Sequence, residues 1–470
     1  MEPIRGVYGA STDCAWSGEQ ISTLVAELAK APDHGLNVAR YRLDDIEATD
    51  GESDPALRDF LASAMALRYA RDMVFGQVDS AALAEDIDFP KPETDLPREL
   101  AAALAHGDIG HWLADLAPHD PSYERLKAAL RQYREIAGYG GWNPIEAAAW
   151  PRVGKVGSVV ESVKQRLLIE GDLSALVPGS VLDIDTVNAL QRFQSRHGLT
   201  PDGRLDRTTV AALNVPADDR VREILVNLER WRFLGHVIPS SRIEINIPAA
   251  SAAVIVDGRV SLAMRAVVGD PRHPSPMLSS AVEAIIVNPP WNVPQSIIRK
   301  EIEPALERKP DYLARHRMHW TEDRLVQDPG PANSLGRIKF EFSNPFSVYL
   351  HDTPMHSLFA RADRALSHGC VRLERPLDLA MELLKDDPSW TRERLERAIG
   401  RGTTIRIDVP NPLPVVLVYW TTFVDGDGMV EFRDDIYGRD ARLTAALKSA
   451  PRFDEINAAA TVDGRGGGSS

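Results

Sequence analysis

The sequence predicts a multidomain α+β protein, helical in its first half and mainly β in its second. Three observations carry that expectation. At 470 residues the chain is too long for one ordinary core, so about two to four units are expected. Up to residue 214 apolar residues recur every three or four positions, the period of a helix face. From Arg242 onward the period falls to two, and Gly and Pro punctuate the runs.

The composition narrows the class. Hydrophobic residues make up 44% and charged ones 26%, the balance of a folded chain. The formal charge of −14, with no basic cluster, argues against nucleic acid as a partner. No run reaches the roughly 18 apolar residues of a membrane span. The opening "MEPIRGVYGASTDCAWSGEQ" has no apolar h-region, so no signal peptide is expected in it, which suits a cytosolic protein and a trimmed mature form equally. The tail, 446–470, ends in "DGRGGGSS" and reads as partly disordered.

Residues 1–150 are expected to form a helical domain. Ile21, Leu24, Val25 and Leu28 share one helix face, "LRDFLASAMALRYARDMVFG" is a longer helix stopped by Gly76, and "YERLKAALRQYREIAG" aligns Leu126, Leu130 and Tyr133. Residues 154–214 then give three short helices. The first buries Val160, Val163 and Leu167; the second spaces Val187, Leu190 and Phe193 and closes at Gly198; the third is opened by Arg207 or Thr208 after the turn "TPDGRLD". Residues 235–445 carry the strand-like runs, with Asp257-Gly258 as a tight hairpin turn and 296–330 as an inserted helical lid. "TTIRIDVP" and "PLPVVLVYWTTF" read as two separate late strands.

The stretch "HDTPMHSLFARADRALSHGC", from His351 to Cys370, concentrates the chemistry: three histidines and one of only two cysteines. Read as a metal site it is poor, because the helical His-x-x-x-His spacing is missing and His368-x-Cys370 is an awkward ligand pair. Read as a nucleophile site it is better. Gly369 allows a tight turn, Pro376 opens a helix with Leu377, Ala380, Met381 and Leu384 as its buried face, and the thiol would sit exposed at the lip of an element. His351 ends a strand 19 residues earlier, enough chain to return beside the thiol. An inert buried cysteine stays open on this chemistry, as does a bridge to Cys14, although two cysteines make no disulfide framework.

Two resemblances sharpen the reading. "ALQRFQSRHGLTPDGRLDRTTVAAL" resembles the peptidoglycan-binding type 1 domain. "HDTPMHSLFARADRALSHGCVRLE" resembles the active-site signature of the L,D-transpeptidase catalytic domain, the YkuD-like fold. "NLERWR", "VNPPWNVPQSIIRKEI", "LGRIKF" and "FRDDIYGRDARL" look like its large YcbB-type branch, in which a helical scaffold and a wall-binding module accompany a lidded catalytic domain. The resemblance implies a cysteine acyltransferase that expels the terminal D-residue of a tetrapeptide stem and passes the thioester to an acceptor amine, giving 3→3 cross-links in the cell envelope or periplasm. It implies Cys370 as nucleophile, His351 as base, His368 as support, and the N–H groups of Gly369 and Cys370 as oxyanion hole. Ser367, Tyr349 and Trp291 would line the cleft, and Arg372 would hold a substrate carboxylate or pair with Glu374. A backbone carbonyl such as that of Asp352 would orient His351, and His356 would be a bystander. No metal and no cofactor is implied; stem peptides and carbapenem inhibitors are the expected partners. An L,D-carboxypeptidase using water as acceptor, and a noncatalytic wall-binding scaffold, are the rivals.

Overall fold

The computed structural model describes residues 16–48, 55–79, 83, 86–146, 149–175 and 178–449. Cys14 and the tail beyond Ser449 lie outside them. The chain forms two compact units: Met1–Glu85, Lys91–Val237 and Thr421–Ser470 in the first, Asp86–Pro90 and Ile238–Trp420 in the second. Residues 154–214 fall within the first unit, and the stretch expected to run to 445 leaves the sheet-bearing unit at Trp420.

In the first unit, helices Gly18–Leu28, Pro55–Val74, Leu96–His106 and Ile109–Asp115 share a core that includes Leu24, Leu28, Met65, Leu100 and Leu113. The Ala-rich helix is buried on most sides, because small residues let neighbours approach closely. Helix Pro121–Gly138 packs Leu126, Leu130 and Tyr133 inward and lies along Ala217–Gly235. Helices Val160–Ile169, Ile184–Arg196 and Arg207–Leu213 close around Val163, Leu167, Leu190, Phe193 and Leu213. The last opens at Arg207, as expected, and is capped by Asp206, whose carboxylate accepts from Thr209 N–H at 2.7 Å.

A buried ion network holds this region together. Glu170 accepts from Tyr133 Oη at 2.6 Å, Arg166 Nη1 at 2.5 Å and Arg196 Nη2 at 2.6 Å, and Arg196 also meets Asp172 at 2.6 Å. Helix Ala217–Gly235 carries "NLERWR" as a second hub. Asn227 bonds Thr421 in both directions, Glu229 accepts from the Val78 N–H and pairs with Arg232, and Arg230 pairs with Asp440 at 2.6 Å. The hairpin β14 (Thr422–Val424) to β15 (Val430–Phe432) completes the unit, its Phe432 against the rings of His197 and Tyr133.

The second unit is a curved sheet that closes on itself. β1 (Ile87–Asp88) adds to β5 (Met277–Val287); β5 is followed by β13 (Ile405–Val418), β2 (Arg242–Asn246), β3 (Ser251–Val256) and β4 (Arg259–Gly269). β12 (Val371–Leu373), β10 (Leu350–His351) and β9 (Ile338–Glu341) follow, and β9 returns to pair with β5. Asp257 and Gly258 both take positive φ (49° and 75°) and turn β3 into β4, as their sequence predicts. β13 is one strand with a register shift between Asp408 and Leu413, rather than the two expected. After β12, the helix Pro376–Leu383 buries Leu379, Ala380 and Leu383, with Leu384 behind them; Leu377 and Met381 are only partly covered.

The expected insertion lies between β5 and β9. β6 (Trp291–Asn292), β8 (Arg324–Gln327) and β7 (Met318–Thr321) make a small sheet. It packs with helical residues 295–315 around Val293, Ile298, Ile302, Met318 and Leu325. The insertion therefore has its own apolar core.

Candidate active site

His351 reaches the site because β10 and β12 are parallel neighbours. Their register sets Leu350 beside Val371 and His351 beside Arg372, and Val371 N–H donates to the Tyr349 carbonyl at 3.1 Å. Tyr349 thus comes level with Cys370. Its hydroxyl neighbours the Cys370 thiol, and Trp291 lies beside that hydroxyl. The Tyr349 ring meets the His351 ring edge-on at 5.6 Å, and Lys339 Nζ lies 4.4 Å from its centroid.

His351 is buried, 4% exposed, and its Nδ1 lies 2.5 Å from the Asp352 carbonyl, the kind of backbone orienter the sequence suggested. Burial pushes its pKa down to about 3, and nearby Arg372 pushes the same way; the Asp352 and Leu335 carbonyls pull weakly upward. The resting imidazole is therefore neutral. Burial raises the Cys370 thiol above its ordinary 9.0, while the Tyr349 bonds, Lys339 and Arg372 favour the thiolate. The resting thiol is neutral as well.

The turn carrying the thiol is braced by hydrogen bonds. Gly369 has φ +108°, a conformation that other residues rarely adopt; an added Cβ would find space, with its nearest neighbour at 3.6 Å, so the backbone angle is what requires glycine. Ser367 Oγ donates to the Cys370 carbonyl at 2.5 Å and accepts from Gly369 N–H at 3.2 Å. That bond engages the Gly369 amide, one of the two N–H groups expected as oxyanion donors. From the β4–β5 loop, Asp270 N–H donates to the Ser367 carbonyl at 2.8 Å, and Ser275 Oγ donates to the Gly369 carbonyl at 2.7 Å.

Two expectations change. His368 contacts the insertion, with Nε2 2.7 Å from Glu301 Oε1, and its ring lies 4.8 Å from that of His273 on the β4–β5 loop. Arg372 does not pair with Glu374, whose carboxylate is taken by Arg265 Nε at 3.0 Å and by the Arg265 N–H at 3.1 Å. Arg372 is instead partly buried near Cys370, and its Nε is a buried donor without a partner among the described residues. His356 is exposed, 4.0 Å from Asp352 Oδ1. Among the described residues no group of three His, Cys, Asp or Glu side chains could hold a metal ion.

Sequence reasoning missed Asp270, His273 and Ser275 in "GDPRHPSP", because they act through turn and carbonyl bonds that no spacing reveals.

Residues 240–407 match the L,D-transpeptidase catalytic domain, YkuD. The chain carries that domain. Residues 156–213 match the "Putative peptidoglycan binding domain", and residues 4–130 match a family described as "Scaffold domain". A protein of Haemophilus influenzae named "Putative L,D-transpeptidase" is 30% identical over 275 residues, 53% of this chain and 55% of that protein. The chain thus spans about half the length of that relative. Among solved structures, an L,D-transpeptidase from Xylanimonas cellulosilytica is 19% identical and covered over 99% of its length and 58% of this chain, at a TM-score of 0.19. L,D-transpeptidase 3 from Mycobacterium tuberculosis, with a faropenem-derived adduct, is 16% identical and covered over 60%, against 38% of this chain, at 0.22. With TM-scores this low, the YkuD assignment rests on the sequence match alone.

Proposed function

We propose that this protein is a peptidoglycan L,D-transpeptidase of the cell envelope that forms 3→3 cross-links through a thioester on Cys370. The observation that supports the reading is the β10–β12 register, which sets Tyr349 level with Cys370 and His351 beside Arg372, next to a turn braced by hydrogen bonds. The Cys370 sulfur attacks the carbonyl between the L and D centres of a donor tetrapeptide. His351 takes the thiol proton and then delivers it to the departing D-residue's amine. An acceptor amine attacks the thioester, loses a proton to His351, and restores the thiol. Because thiol and imidazole both rest neutral, proton transfer accompanies attack instead of preceding it. In this reading the Cys370 N–H donates to the developing oxyanion. The unpartnered Arg372 Nε suits a stem-peptide carboxylate, and Tyr349 and Trp291 wall the cleft.

The test is acylation followed by product analysis. Intact mass after incubation with a carbapenem should show one adduct, absent in Cys370→Ala. Purified tetrapeptide muropeptides should yield cross-linked dimers. An unmodified wild-type protein would overturn the reading, and trimmed monomers alone would make the enzyme a carboxypeptidase.

A further inference from the structure

The insertion between β5 and β9 meets the surroundings of the thiol at its root and again farther along. At its root, Trp291 of β6 lies beside Tyr349, which neighbours the thiol, so this end is anchored at a partly buried aromatic pair. Farther along, the chain passes through a single π-turn at Ile298–Ile302, where Glu303 N–H reaches back to the Ile298 carbonyl. Such wide turns interrupt helices chiefly at functional sites. Ile298 and Ile302 are sunk in the insertion's own core, which leaves Arg299, Lys300 and Glu301 outside it. Of these three, Glu301 meets His368, with Oε1 2.7 Å from Nε2.

His368 is well placed to receive such a contact. It lies two residues before Cys370, its ring rests near His273, and His273 is held by Asp270, whose carboxylate also accepts from the Arg272 and His273 N–H groups at 2.8 Å each. The catalytic turn is thereby fixed from below, and the imidazole is its face toward the insertion. Both partners remain open to solvent, His368 at 41% and Glu301 at 51%. Exposed pairs of this kind are weak and exchange readily. That suits a contact that must release for substrate to enter and product to leave.

We propose that Glu301 is a positioning residue, holding the insertion closed over Cys370 through His368 and so protecting the thioester from water until an amine arrives. This rests on the transpeptidase reading for its consequence but not for the contact itself. The apolar core of the insertion lets it move as one body, rooted at Trp291 and released at Glu301.

Two measurements on the full-length protein test it. The first needs no enzymatic activity: the rate of Cys370 modification by a bulky fluorescein maleimide, divided by the rate with iodoacetamide. Glu301→Ala should raise that quotient at least fivefold. Glu301→Gln, whose amide oxygen still accepts from the imidazole N–H, should stay within twofold of wild type. In His368→Gln the quotient should already be raised, and adding Glu301→Ala should change it no further. A quotient unchanged in Glu301→Ala, or independent effects of the two substitutions, would overturn the proposal. The second measurement is the ratio of hydrolysed to cross-linked product, expected to rise severalfold in Glu301→Ala. If no thioester forms with the donor even in wild type, the functional reading falls while the reagent quotient still decides the latch.

Discussion

The charge state of the resting pair can be measured directly. In many thiol enzymes a cysteine and a histidine exchange a proton before substrate arrives, and the thiolate persists over a broad pH range. Here burial holds His351 near 3 and lifts Cys370 above 9.0. Between those values both groups are neutral. At pH 7 the thiolate fraction is then below about 1%, since each unit between pH and pKa is a factor of ten. The perturbation is pH itself, scanned from 5 to 10, and the assay is the second-order rate of iodoacetamide modification of Cys370. The rate should climb about tenfold per unit up to at least pH 9, with no inflection near 6.5 where an ordinary histidine titrates. Tyr349→Phe removes a neighbouring hydroxyl that favours the thiolate, and should lower the rate at pH 8 at least threefold while leaving the slope intact. A rate that is flat from pH 5 to 8 would mean a preformed thiolate–imidazolium pair and would refute this reasoning.

Two further predictions concern stability. Glu170→Ala removes the carboxylate from the buried guanidinium of Arg166 and leaves Arg196 with Asp172 alone, their side chains being 1% and 5% exposed, and should cost about 3–5 kcal/mol in chemical denaturation. Glu382→Ala, which breaks an exposed pair with Lys385, should cost under about 1 kcal/mol as the control; equal losses would contradict the network's role. Gly336→Ala forces a Cβ to 2.4 Å from the Asp352 carboxyl at φ +65°, displacing the bond from Arg337 N–H to Asp352 at 2.8 Å. It should cost roughly 3 kcal/mol and slow carbapenem acylation more than tenfold by disturbing the His351 support, whereas Gly428→Ala, with open space at φ +84°, should cost about 1 kcal/mol; similar values for the two would show that the clash relaxes freely.

Much of this was legible because periodicity and turn chemistry are local. The helix faces at Ile21–Leu28 and Leu126–Tyr133, and the Asp257-Gly258 turn, needed no tertiary information. β13 was misread because Pro410 and Pro412 look like a strand end, yet they fall in the stretch where the register shifts and a ladder donor can be spared. β1 was invisible: two residues join a strand about 190 positions away, and no local pattern reports that. At the site, His351 and Cys370 announced themselves by residue type and spacing. The pairing of Arg372 with Glu374 failed for a geometric reason. β12 runs antiparallel to β4, and the ladder carries Glu374 N–H onto the Arg265 carbonyl at 3.1 Å. Arg265 is therefore a cross-strand neighbour, closer to Glu374 than a residue two positions along the same strand. His368 was recognised as important, but its partner Glu301 lies on a separate element.

The interleaving of the two units governs the order in which this chain can be made. During synthesis the rings of Tyr133 and His197 emerge well before Phe432, which covers them. At the usual 5–20 residues per second the delay is on the order of 10–50 s. Through that interval the helical body stands incomplete, with an aromatic face open to solvent, while the whole sheet is still being built. β1 waits in the same way for β5. The helical unit cannot finish without its last segment, so a nascent chain halted before residue 421 should be a client for chaperones, whatever the stability of the finished protein.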